Sequence, residues 1–465
     1  MSGGVRAPAG AYLHRVLTRR LSYSYRDILA IALPLAVGNM AYTLIAVFDV
    51  YFMKSVGVAE QGAIGYSSLV YSFLFMIGFS YTKGTQILVA RRVGQGDVPG
   101  VGAVVNNSLL VLTVFAAVIW GLITVGSHAT LSFLFQEKAV IDAAHDYLIV
   151  RRWAFFFSFA GAVMIAYFSG IERTMVLAAA IVTMSVLNIF LNYVLIFGHF
   201  GFPALGIRGA AWASNIAEVV SLLILLLGTL RRGRVLRHAL FQFKGLSMAI
   251  IRKISFISFP LVIQAWLGLG AWLIFFTVVE NRMGQDALAS SQVVRSIYML
   301  LGVTTFAFAS STNTVVGNVL GQRRPAEVVP LLARISLLSL ALVGLFTVPV
   351  LVMPRTVLVW FAEPGIVDLS VRPLVVTMGA LFVYAVSTVV FNGIVATGRT
   401  YVTLTIELAT IVAYSLYLWA LFQGGNPTLA VAWTTEWVYW GLIGVLSAVY
   451  LWRTPIASLV EEDGG

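Results

Sequence analysis

The chain has 465 residues, 60% of them hydrophobic and only 11% charged, with a mean hydropathy of +0.92. A soluble domain needs about 25% charged residues to cover its surface, so these proportions exclude one and describe a polytopic membrane protein. The formal net charge of +11 raises the question of a nucleic-acid partner, while the absence of cysteine excludes disulfides and thiolate metal sites.

In chain order, residues 1–27 read as a cytoplasmic segment. Within it Leu13, Leu17 and Leu21 recur at helical spacing beside Arg15, Arg19 and Arg20, which suits a short interfacial helix. Apolar runs long enough to cross a hydrocarbon core of about 30 Å follow. They are centred near residues 41, 76, 115, 160, 187 and 217, and again near 268, 304, 341, 383, 411 and 440. The first six make a lobe over 28–230 and the second six a lobe over 254–452. Between them, residues 231–253 form a basic cytoplasmic linker carrying Arg231, Arg232, Arg234, Arg237, Lys244, Arg252 and Lys253. Residues 453–465 form a cytoplasmic tail that ends in acids. Lys and Arg crowd the loops on the side of the termini, so both termini are expected in the cytoplasm. The basic charge is therefore topology, and the nucleic-acid reading falls away. Trp153, Trp360, Trp433 and Trp452 sit near span ends, where interfacial anchors belong.

The second half repeats the first. Pro34 recurs as Pro260, Gly94-Gln95 as Gly321-Gln322, Arg173-Thr174 as Arg399-Thr400, and Pro203-Ala204-Leu205 as Pro427-Thr428-Leu429. One offset of roughly 226 residues accounts for all four, which means a duplication. In so apolar a chain this implies two helical bundles facing each other across a cleft.

Function has to come from the polar groups inside the spans, because each costs energy to place there. Asp49 lies in span 1, about one and a half turns before its outer end near Lys54. Span 5 carries Asn188 and Asn192 at i, i+4, on one helix face. Span 6 places Ala210, Ser214 and Glu218 on one face by the same rule. Direction and rise bring Asp49, the asparagines and Ser214 to comparable depth in the outer half of the membrane. A carboxylate, two amide oxygens and a hydroxyl make an oxygen cage for a monovalent cation such as Na+. The acid could instead take up a proton, since desolvation favours the neutral form of a carboxylic acid. Asparagine and serine also join membrane helices by hydrogen bonds with no further role, and this plainer reading applies to each residue alone. Lys83, Gln264, Arg295 and Glu218 are accessory candidates. Lys83 is expected to snorkel inward, Arg295 to reach the outer headgroups or the cleft, and Glu407 to be wet, with Glu436 a weaker functional candidate. No zinc-protease, nucleophile-elbow or phosphate-loop motif occurs, so the chain reads as a transporter driven by an ion gradient, without cofactors, rather than an enzyme.

Several motifs in order resemble the multidrug and toxic compound extrusion (MATE) family of cation-coupled antiporters, in the multidrug/oligosaccharidyl-lipid/polysaccharide flippase superfamily. They are Pro34, Phe48-Asp49-Val50, Gly94-Gln95-Gly96, Leu187 to Asn192, Leu205-Gly206-Ile207-Arg208-Gly209-Ala210-Ala211-Trp212-Ala213-Ser214, and Val316-Gly317 to Gly321-Gln322. The resemblance implies an all-α polytopic membrane protein of twelve transmembrane helices, in two six-helix lobes related by pseudo-twofold symmetry. It implies alternating-access export of organic, cationic or amphipathic compounds in exchange for Na+ or H+. It places a cation site at Asp49, Asn188, Ala210 and Ser214. Where the family often has a second acid, this chain has Asn192, which favours Na+ over a carboxyl pair sharing a proton. Another branch uses an acid in span 7, where this chain has Gly268, with Gln264 a turn earlier. A monomer in a prokaryotic inner membrane is the expected setting. The alternative is a lipid-linked oligosaccharide or polysaccharide flippase of the same superfamily, for which basic residues such as Lys83 and Arg295 would line the cavity.

Overall fold

Hydrocarbon offers backbone amides no partner, so each spanning segment must satisfy its own hydrogen bonds, and the chain does so as helices. The computed structural model describes residues 21–454 except 55, 57, 135–136, 231–237, 243–245 and 426. Most of the segment expected to form an interfacial helix, much of the basic linker and the acidic tail lie outside the described residues. Among those described, every regular element is helical.

Contacts divide the chain into two compact units. One is Leu33–Gly268, called the first unit below; the second is Leu269–Gly465 together with Met1–Ala32. The divisions fall inside two long helices that each contain a proline, α1 (Tyr25–Lys54, Pro34) and α8 (Met248–Met283, Pro260). Between these run α2 (Val58–Gln95), α3 (Val98–Leu134), α4 (Lys138–Arg151), α5 (Ala154–Gly170), α6 (Thr174–Phe197) and α7 (Gly206–Leu230). The second unit continues with α9 (Gln285–Gly321), α10 (Val328–Val352), α11 (Pro354–Leu358), α12 (Pro364–Ala396), α13 (Thr400–Gln423), α14 (Leu429–Ala432) and α15 (Thr435–Arg453). All twelve predicted span centres lie within these helices. Ten spans among the described residues are long and apolar enough to cross a membrane, eleven if α4 and α5 count as one span bent by 52°. The remaining long helix is α2, which carries Lys83, Gln86, Arg91 and Arg92 towards its C-terminal end.

The hairpin of α6 and α7 is held unusually close. Gly198 ends α6 in the left-handed conformation with φ +76°, where a Cβ would lie 2.7 Å from the Ala204 nitrogen. The chain returns so tightly that the Leu205 amide donates to the Leu195 carbonyl at 2.9 Å. One turn on, a Cβ at Gly209 would lie 2.4 Å from the same carbonyl oxygen, a contact with backbone that no side-chain rotation relieves. Small residues let membrane helices approach in this way, and the approach sets Asn188 and Asn192 of α6 against Ser214 of α7.

The second unit has an aromatic core that includes Phe275, Tyr298, Met378, Tyr384, Tyr414 and Trp433. Trp433 was expected as an interfacial anchor, but it is 1% exposed; it sits between α14 and α15 and stacks its edge on Phe275 at 4.8 Å. Trp360 and Trp452, at 85% and 75%, are exposed as an anchor requires.

The Gly209→Ala variant should be less stable by about 1–3 kcal/mol, the usual penalty for overpacking a tight contact. Thermal unfolding of the purified protein in detergent should show the midpoint falling by several degrees. An unchanged midpoint would mean that α6 and α7 can part without loss.

Candidate cation site

Asp49 enters from the last turns of α1, Asn188 and Asn192 from α6, and Ser214 from α7, all in the first unit. They form one connected chain of hydrogen bonds. The Asn192 amide nitrogen donates to Asp49 Oδ1 at 2.6 Å and to Asn188 Oδ1 at 3.2 Å. The Asn188 amide nitrogen donates in turn to Ser214 Oγ at 3.0 Å. Both asparagines are fully buried. The Asn192 orientation follows from charge, since its Oδ1 facing Asp49 would set acceptor against anion. With the nitrogen committed to Asp49, Asn192 Oδ1 is buried with no hydrogen-bond partner among the described residues. An acceptor left this way costs about 1–3 kcal/mol, which a positively charged ligand can recover. The carboxylate, the orphaned amide oxygen and the Ser214 hydroxyl thus make an oxygen-rich cluster with one negative charge. Ala210 is buried one turn before Ser214 on the same helix.

Glu218, a further turn along α7, belongs to a neighbouring network. Its Oε1 accepts from Arg151 Nη2 at 2.8 Å, and its Oε2 accepts a very short hydrogen bond from Ser158. Arg151 Nη1 donates to Asn215 Oδ1 at 2.8 Å, while the Asn215 nitrogen donates to the Val150 carbonyl at 2.9 Å. The guanidinium also lies 3.9 Å from the Tyr71 ring centroid, and Tyr71 bonds Ser158 at 2.8 Å. Arg151 is the last residue of α4 and Ser158 lies in the second turn of α5. One carboxylate on α7 therefore pins both sides of the bend in span 4. Ser214 and Asn215 are adjacent, so the cation cluster and this ion pair share a helix turn. Arg151 was invisible as a site residue because a basic pair before an apolar run looks like a topology signal. The available clue was Glu218, an acid in a span that needed a countercharge.

The other candidates lie elsewhere. Lys83 and Gln264 are half-buried on α2 and α8, and neither hydrogen-bonds the four cluster residues. Arg295 of α9 belongs to the second unit, its guanidinium 5.5 Å from the rings of both Trp272 and Phe276. Glu407 is not wet but buried, accepting from Tyr439 on α15. Glu436 is buried too, bonded to Tyr298 and Trp440.

These features define an all-helical integral membrane transporter. The MatE family model matches residues 34–194 and 260–417, and the chain belongs to that family. A probable multidrug resistance protein NorM of Synechocystis is 27% identical over 325 residues, 69% of this chain and 68% of that one. A probable NorM of Thermotoga maritima is 24% identical, the match spanning 81% of this chain and 80% of that protein. Among solved structures, a MATE in complex with MaL6 superposes with a TM-score of 0.86 at 17% identity, covering 96% of this chain and 99% of that one. An outward-facing multidrug resistance MATE transporter gives 0.84 at 18% identity, over 98% and 99%.

Removing one partner of a buried ion pair strands the other charge, at about 3–5 kcal/mol. Arg151→Met should therefore unfold at a markedly lower temperature in detergent, and Arg151→Met with Glu218→Gln should recover much of the loss. A double variant no more stable than the single one would show that the pairing is not the source of the effect.

Proposed function

We infer that the protein is a multidrug efflux antiporter of the membrane, exchanging organic cationic or amphipathic compounds for a monovalent cation by alternating access. The observation that carries the coupling site is the buried chain Asp49–Asn192–Asn188–Ser214 with its orphaned Asn192 oxygen. Of the two coupling ions, sodium is favoured. The cluster offers several oxygen acceptors around one carboxylate, a donor set that suits a hard cation. The second nearby acid, Glu218, is already neutralised by Arg151, so one net negative charge is left to balance Na+. A proton would use only one of these oxygens and leave the Asn192 acceptor unmet. The ion acts by binding one conformation better than the other; that difference in affinity couples its gradient to export. Because the ligands come from α1, α6 and α7, cation binding biases the packing of these three helices. We place both termini in the cytoplasm of a prokaryotic inner membrane, with the monomer as the working unit.

Asp49→Asn keeps the shape of the side chain and one acceptor oxygen for Asn192 but removes the charge. In proteoliposomes with an imposed sodium gradient it should abolish dye export while the protein stays folded; normal export would move the coupling site elsewhere. Asn192→Asp would place two carboxyl groups within hydrogen-bond distance, where like charges make them share a proton. Export by that variant should turn from sodium-stimulated to proton-driven, measured with the same dyes under separate Na+ and H+ gradients. Unaltered sodium stimulation would count against Asn192 as a ligand.

A further inference from the structure

Glu436 has no role in the mechanism above, yet it is a buried acid of the second unit held by two donors. It lies in the first turn of α15, 7% exposed. Its Oε2 accepts from the Tyr298 hydroxyl of α9 at 3.0 Å and from the Trp440 indole at 3.2 Å. The indole also donates to the Tyr298 oxygen at 2.9 Å, closing a three-membered cluster. We propose that Glu436 is a second ion-binding site, specific for a proton, that reports its occupancy to the packing of the second unit.

The first argument is the absence of countercharge. Among the described residues no Lys, Arg or His pairs with Glu436, unlike Glu218 with Arg151. The titratable groups around it are phenols: Tyr298 from α9, Tyr384 from α12, Tyr414 from α13, and Tyr439 from its own helix, whose hydroxyl donates to Glu407. Arg295, the basic residue nearest in sequence to Tyr298, lies over the rings of α8. An ionised carboxylate so surrounded is costly, and a bound proton removes the charge.

The second argument is the placing of the donors. Both meet the same oxygen, Oε2, which leaves Oε1 as the atom on which a proton would sit in the neutral acid. The proton comes from water as hydronium and returns to it, with no other bond made or broken.

The third argument concerns selectivity. The Asp49 cluster supplies amide and hydroxyl oxygens, whereas Glu436 meets an indole N–H, which can only donate, and a phenol already donating to it. Packed rings complete the surroundings: Tyr384 and Trp440 are tilted with centroids 4.0 Å apart, and Tyr439 and Trp440 meet edge to face at 4.9 Å. A dehydrated metal cation needs several oxygen ligands; a proton needs one. The duplication adds context, since Tyr414 and Leu418 of this region stand about 226 residues from Asn188 and Asn192. The place that holds amides in the first unit holds aromatic core in the second. Loss of the proton would put a negative charge where α9, α12, α13 and α15 meet through these rings.

The proposal does not depend on which ion Asp49 binds. Its test is pH-titrated infrared difference spectroscopy on the full-length protein in liposomes, comparing wild type, Glu436→Gln, Tyr298→Phe and Asp49→Asn. Wild type should show the carbonyl stretch of a protonated carboxylic acid, lost as pH rises. Glu436→Gln should lack that band. Tyr298→Phe, which keeps the ring, should move its frequency and shift its pH midpoint by about one unit, a tenfold change in proton affinity. Asp49→Asn should keep the band while losing sodium-driven export, which separates this site from the coupling assignment. A band that survives in Glu436→Gln, vanishes in Asp49→Asn, or is unmoved in Tyr298→Phe would overturn the proposal. The last holds even if Glu436→Gln does not fold.

Discussion

A charge inside a lipid-facing helical bundle finds no water, so the protein must supply its partner, and most of the architecture here follows from that requirement. Asp49 is met by an amide, Glu218 by a guanidinium, Glu436 by a phenol and an indole, and Glu407 by a phenol. Each pairing joins one helix to another through a buried acid. The guanidinium pairing is closed, because donor and acceptor charges cancel. The amide pairing is open, because it satisfies the asparagine nitrogen and strands its oxygen. That difference separates the ion pair that holds span 4 at its bend from the cluster with an unmet acceptor oxygen.

The close approach of α6 and α7 makes the open pairing possible. Gly198 turns the chain in a conformation that side chains disfavour, and Gly209 lets the Leu195 carbonyl lie where a Cβ would be. With the backbones so near, short polar side chains can span the gap, and Asn188 reaches Ser214 without water between them. On the far side of Ser214, Asn215 ties the same turn of α7 to the end of α4. Ser214 thus stands one residue from the clamp on the bend in span 4.

Much of this was legible in the chain. Twelve apolar runs, their doubling and the polar positions in spans 1, 5 and 6 could all be read by period and offset. An i, i+4 spacing fixes which residues share a helix face, and a rise of about 1.5 Å per residue fixes their depth. Arg151 was not legible, because a basic pair at the head of an apolar run has the same appearance whether it faces headgroups or an acid. Glu407 and Trp433 were misplaced for a related reason. Nearness to a span end suggests water or headgroups, but the structure packs both inside, against Tyr439 and against Phe275.

By itself, then, the sequence determined that this is a duplicated helical membrane protein with its amide-rich polar cluster in one half, since composition, periodicity and repeat offset are properties of the chain alone. Only the tertiary structure decided which acid meets which donor: Asp49 with Asn192 and an oxygen left over, Glu218 with Arg151, Glu436 with Tyr298 and Trp440. Helical spacing fixes the face and height of a residue, but its partners depend on how neighbouring helices are rotated and how closely they approach. Those are set by packing between segments far apart in the chain.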